Sequence, residues 1–190
     1  MKGRFYEFFA GAGMARAGLG TGWQCLFAND IDLKKAATYE DNWRDGVIKA
    51  ADVKTLATSD LPGHADLVWA SFPCQDLSLA GGGAGLRGER SGVFWPFWKL
   101  ITKLKAEKRA PAIVALENVA ATLTSHGGKD FEALCLALSD AGYRVGVRVI
   151  DAVHFVPQSR PRMFLIAVRE DVEIPDELIE PSGTLQGIDN

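Results

Sequence analysis

Cysteine and histidine are scarce in this chain, three of each among 190 residues. Cys25, Cys74 and Cys135 are too few and too scattered for a disulfide framework or a zinc site, which points to a reducing, cytoplasmic compartment. His64, His126 and His154 stand apart from one another, so no metal centre is expected. No apolar run approaches the ~20 residues of a membrane span, and the N-terminus has no signal-peptide pattern, so no membrane partner is expected. Surplus positive charge is missing as well. A net charge of −3 excludes broad non-specific affinity for nucleic acid, so any phosphate contact must be local or supplied by another chain.

What is present is enough apolar sequence, 47% against 24% charged, to build the core of one domain. Apolar and aromatic runs predict strands at Arg4–Phe9, Gln24–Ala28, Val47–Ala51, Asp66–Ser71, Ala112–Leu116, Arg144–Ile150 and Met163–Val168. Helices fall between them: a small-residue helix over Met14–Leu19, one capped by Asp32 and running to Trp43, and one starting near Trp95. The last places Phe94, Phe97, Trp98, Ile101 and Leu104 at helical spacing, with Pro96 in its first turn. Asp130 is read as the cap of a further helix, closed by Gly142. Alternating strands and helices predict an α/β fold with a mostly parallel sheet and helices on both faces. Two stretches break that rhythm. Leu79–Gly92 is a glycine-rich loop, and 170–190 is an acidic tail after a domain over 1–169.

Parallel α/β sheets bind ligands beyond the carboxyl ends of their strands. Gly11 and Gly13 follow the first strand and would let a ligand approach the backbone, while Asp30 and Asp52 end the second and third. Each acid taken singly is equally a cap or a solvated side chain; together they indicate a nucleoside-containing ligand. A dinucleotide fingerprint is incomplete, because Arg16 stands where its third glycine belongs. The fourth strand ends in Ser71-Phe72-Pro73-Cys74-Gln75. Pro73 fixes φ and donates no hydrogen bond, so the chain turns and presents Cys74, read either as an activated thiol or as a small buried hydrophobe.

In order along the chain come Phe9-Ala10-Gly11-Ala12-Gly13, Pro73-Cys74-Gln75, Glu117-Asn118-Val119 and Gln158-Ser159-Arg160-Pro161-Arg162. This succession resembles the DNA (cytosine-5) methyltransferase family, over Arg4 to about Arg169. The resemblance implies a Rossmann-like fold that uses S-adenosylmethionine to methylate cytosine in DNA. It places Phe9, Ala10, Gly11, Gly13, Asp30, Ile31, Asp52 and Pro73 around the cofactor, with Phe9 and Asp52 at the adenine and Asp30 at the ribose. Cys74, Glu117, Arg160 and Arg162 become catalytic, and Gln75, Ser78, Arg87 and Asn118 face the cytosine.

The chemistry of these residues agrees. Thiolate addition at carbon 6 of cytosine makes carbon 5 nucleophilic, and an acid at nitrogen 3 relieves the charge that develops. Glu117 ends an apolar strand, where desolvation is expected to keep it protonated. Asn118 is expected to hold either that carboxyl or the loop. A stacked base is out of reach, so the target must be flipped, and the loop with Arg87 and Arg90 suits that closure. Lys99, Lys103, Lys105, Lys108 and Arg109 are read as a solvated helix face rather than a DNA stripe.

The pattern departs from the family at Met14 (a glycine there), Glu7 (an aspartate) and Ile31 (an aromatic). The family's target-recognition region and final helix have no room in 170–190, so a fragment, or a split enzyme with a second subunit, is expected. A tRNA cytosine methyltransferase, a non-catalytic scaffold of the same fold and a nicotinamide oxidoreductase are the alternatives.

Overall fold

The computed structural model describes residues 2–73 and 91–179. Seven strands form one sheet: β1 (Gly3–Phe8), β2 (Trp23–Asp30), β3 (Ile48–Ala50), β4 (Leu67–Ala70), β5 (Ile113–Val119), β6 (Tyr143–Asp151) and β7 (Pro161–Arg169). Their spatial order is β3-β2-β1-β4-β5-β7-β6, parallel throughout except for β7, which is antiparallel to both β5 and β6. Chain order reverses between β1 and β4, so the carboxyl ends of these two strands flank the crevice where such sheets take ligands.

Side chains alternate across β1 and sort the helices onto two faces. Phe5 packs with Cys25, Ala28 and Tyr39 beneath α1 (Met14–Leu19) and α2 (Leu33–Trp43). Tyr6 and Phe8 face the opposite way, into the main core with α3 (Phe94–Ala106) and α4 (Lys129–Asp140). The predicted stripe on α3 is buried throughout, each large side chain contributing roughly 1.5–3 kcal/mol. Pro96 lies in the first turn, where a missing N–H costs nothing.

Local readings hold where a side chain serves its own neighbourhood. Asp32 caps α2, its Oδ1 accepting from the Lys34 and Lys35 amides at 2.8 and 3.2 Å. Asp130 does not cap α4. Gly128 holds the N-cap position, and the Asp130 carboxylate accepts instead from Ser125 Oγ at 2.5 Å, with His126 Nδ1 2.7 Å away. Arg109 likewise leaves the expected solvated face. Its guanidinium donates to the carbonyls of Leu61, Gly63 and Thr58 at 2.7–3.0 Å, pinning the loop before β4.

Candidate active site

β1 ends by turning sharply. Phe9 and Gly11 take left-handed conformations (φ 55° and 56°), and Gly13 follows at φ 85°. The turn is bonded to the end of β2: the Ala10 amide donates to the Asn29 carbonyl at 2.9 Å, and the Gly11 amide to Asp30 Oδ2 at 2.8 Å. Asp30 Oδ1 accepts from the Asp32 amide, which leaves lone pairs on both carboxylate oxygens. Asn29, buried and passed over in the sequence, donates to the Lys49 and Ala51 carbonyls and ties in β3. Asp52 caps the following 3-10 turn (Val53–Thr55) through Oδ1, with the Lys54 amide at 2.9 Å. It serves the local structure, and Oδ2 has no hydrogen bond among the described residues.

The two glycines differ. A Cβ on Gly11 would meet nothing within 4 Å, so the space above it is open to a ligand. On Gly13 it would lie 2.1 Å from Trp43 Nε1 and 2.9 Å from the Tyr39 ring. On the side where a Cβ would project, the close approach at Gly13 is made by the Trp43 indole. Behind the turn Glu7 is 1% exposed, and burial pushes its carboxyl up to about 7, against hydrogen bonds from Tyr39 and from the Arg16 and Ala15 amides. Arg16 lies 4.4 Å over the Trp43 ring and pairs with Asp45, bracing the same corner. Ile31 and Met14 are open to solvent.

At the crevice, Phe72 is buried and the chain passes on to Pro73. Asn118, 3% exposed on β5, donates from Nδ2 to the Phe72 carbonyl at 3.2 Å and accepts the Val119 amide on Oδ1 at 2.8 Å. Of its two expected duties, holding the loop is the one the hydrogen bonds show. Glu117 meets a cation rather than the expected apolar surroundings, since Arg162 Nε lies 3.0 Å from its Oε1. That contact exists because β7 runs antiparallel to β5, with Val119 opposite Arg162, so β7 begins where β5 ends.

The sequence missed Asp151 at the end of β6. Its carboxylate accepts from the Arg160 amide (2.6 Å), Ser159 Oγ (2.8 Å) and the Val153 amide (3.1 Å). These bonds hold its acid below the usual aspartate range and clamp the turn that carries Arg160 and leads into β7. An aspartate ending a strand just before a turn was the available signal. Cys74, Gln75, Ser78 and Arg87, with most of the Leu79–Gly92 loop, lie outside the described residues; Ser91–Val93 form a 3-10 turn into α3. Among the described residues no acidic, His or Cys cluster could hold a metal, and no helix is long and apolar enough to cross a membrane.

A family model for C-5 cytosine-specific DNA methylase matches residues 3–186. The chain belongs to that family. The type II methyltransferase M.BsuFI of Bacillus subtilis is 32% identical over 174 residues, covering 90% of this chain and 41% of that protein. M.HaeII of Haemophilus aegyptius is 31% identical over 186 residues, covering 97% and 55%. The solved structure of the S. pombe Dnmt2 methyltransferase superposes with a TM-score of 0.72 at 21% identity, over 91% of this chain and 53% of that one. This methylase-family chain thus spans about half the length of the relatives it matches, and its sheet is the methyltransferase fold expected.

Proposed function

We propose that the chain carries the cofactor and chemistry half of a DNA (cytosine-5) methyltransferase. The observation that carries this reading is the Glu117–Arg162 pair beside the Asn118 tether on Phe72, two residues before Cys74. The cofactor implied is S-adenosylmethionine, which supplies an electrophilic methyl group. The residues present fit it. Gly11 leaves open space, and Asp30 keeps lone pairs for ribose hydroxyls. Asp52 has an oxygen without a hydrogen bond among the described residues for an adenine amino group, and Phe9, packed on Phe97, supplies an aromatic ring at the turn.

In this reading the Cys74 thiolate adds to carbon 6 of a flipped cytosine. Glu117, entering as the neutral acid, donates its proton to nitrogen 3 as charge builds on the ring and recovers it on elimination. Arg162 holds the carboxyl in place and offers its remaining N–H groups to the base carbonyl. After carbon 5 is methylated, a base takes its proton and elimination releases the thiolate. Site recognition comes from outside residues 1–190, as the length of the relatives supports.

The test is trapping on 5-fluorocytosine, which blocks loss from carbon 5. A covalent complex with DNA that survives denaturation and disappears in Cys74→Ser is expected. A complex that persists in Cys74→Ser refutes the mechanism, and trapping on tRNA but not DNA refutes the substrate.

A further inference from the structure

A groove runs between α3 and the Val53–Thr55 turn that follows Asp52. Its cavity, about 420 Å³, is lined by Lys54, Lys99, Lys103 and Trp95 over Val53 and Leu56, within the ~300–1,000 Å³ typical of ligand sites. Trp95, Lys99 and Lys103 recur every fourth residue and so form one stripe on α3. Lys54 arrives from the turn that Asp52 caps. Among the described residues no carboxylate pairs with any of the three lysines; nearby Asp60 is taken by Lys49 and Glu107 by Arg109.

We propose that this groove binds a strand of nucleic acid, with phosphates on Lys54, Lys99 and Lys103 and a base against Trp95. Three ammonium groups with no carboxylate partner among the described residues share one concavity and make a local positive field on a chain of net charge −3. They account for an anion but not for the indole. Trp95 is 41% exposed while its aromatic neighbours Phe94, Phe97 and Trp98 are buried, and an exposed ring among cations is a stacking platform for a base. A second, more open concavity of about 640 Å³ shares Trp95 and Lys99 and adds Asp140 and Lys105, whose Nζ donates to the Ala141 carbonyl at 3.0 Å. The concave surface therefore continues along α3 beyond Trp95, with room for more than one nucleotide, which favours a strand over a free nucleotide. The inference rests on the reading that the chain acts on nucleic acid, and it adds a contact away from the reacting base.

Anisotropy of a fluorescein-labelled single-stranded oligonucleotide, titrated against the 190-residue chain at several salt concentrations, tests it. Lys54→Glu and Lys99→Glu are expected to weaken binding at least about tenfold, with the log–log salt slope falling by about 0.7 per lysine. Trp95→Ala is expected to weaken it about fivefold or more. Lys108→Glu, outside the groove, should stay within about twofold, the charge-matched control for long-range effects. Thermal melting should be unchanged in all four variants, and S-adenosylmethionine binding in Lys99→Glu, Trp95→Ala and Lys108→Glu. No binding by the unaltered chain, equal binding by the groove variants, or equal displacement by polyglutamate or a mononucleotide overturns the proposal. Loss of oligonucleotide binding in these variants supports the groove even if trapping fails. Trapping without that loss refutes the groove and leaves the proposed chemistry standing.

Discussion

Arg162 Nε sits 3.0 Å from Glu117 Oε1, with the two side chains 19% and 22% exposed, although they belong to strands running in opposite directions. Such a half-buried pair contributes little to stability, ~1 kcal/mol or less. Its effect on a reacting base beside it is larger. Arg162→Ala should lower the rate of covalent trapping on 5-fluorocytosine DNA by about 10²–10³ while the unfolding midpoint hardly moves. Arg162→Lys should recover only part, since an ammonium has no planar fork to hold a carboxyl and a carbonyl together.

Asn118 tethers the backbone that leads to Cys74. Removing its amide leaves the Phe72 carbonyl unpaired in a buried position. Asn118→Ala should cost about 1–3 kcal/mol in denaturant unfolding. Trapping should slow even at temperatures where the variant is fully folded, because the loop loses its anchor. Unchanged trapping in a folded variant would show that the tether is structural only.

Gly11 and Gly13 should respond differently to the same substitution. Gly11→Ala meets open space and bears only the left-handed backbone cost, ~1–2 kcal/mol. It should fold, yet bind S-adenosylmethionine at least about tenfold more weakly, as read by calorimetry, because each 1.4 kcal/mol of lost contact is tenfold in affinity. Gly13→Ala adds a clash with the Trp43 indole and the Tyr39 ring, roughly another 1–3 kcal/mol. Its melting point should drop well below that of Gly11→Ala.

Glu7 makes stability fall as pH rises. Its carboxyl titrates near 7 in the folded chain and near 4.5 when unfolded, so the folded state binds the extra proton between these values. Its contribution is complete below about pH 4.5 and is lost as pH passes through 7. The total is on the order of 3 kcal/mol. Glu7→Gln should flatten denaturant stability between pH 5 and 8 and be the more stable form at pH 8. A wild-type profile that rises with pH over this range would contradict the burial argument.

Legibility in the sequence followed the range of each interaction. Asp32 capping α2 and the apolar stripe of α3 were readable, because spacing along one element decides them. Asp130 was misread because a competing hydroxyl and imidazole on the preceding turn take its carboxylate. Arg109 was misread because its partners are carbonyls of a loop far off in the chain. Lys54 could not be joined to Lys99 and Lys103 until the 3-10 turn was seen against α3.

By itself the sequence determined the alternation of strands and helices, the parallel majority of the sheet and the acids at its strand ends. Local propensity and apolar period are properties of neighbouring residues, and they survive any later packing. Only the tertiary structure decided that β7 runs against β5, bringing Arg162 to Glu117, and that Trp43 packs against Gly13 where a Cβ would project. Strand direction and close packing between distant segments depend on how whole elements meet, and no local pattern carries that information.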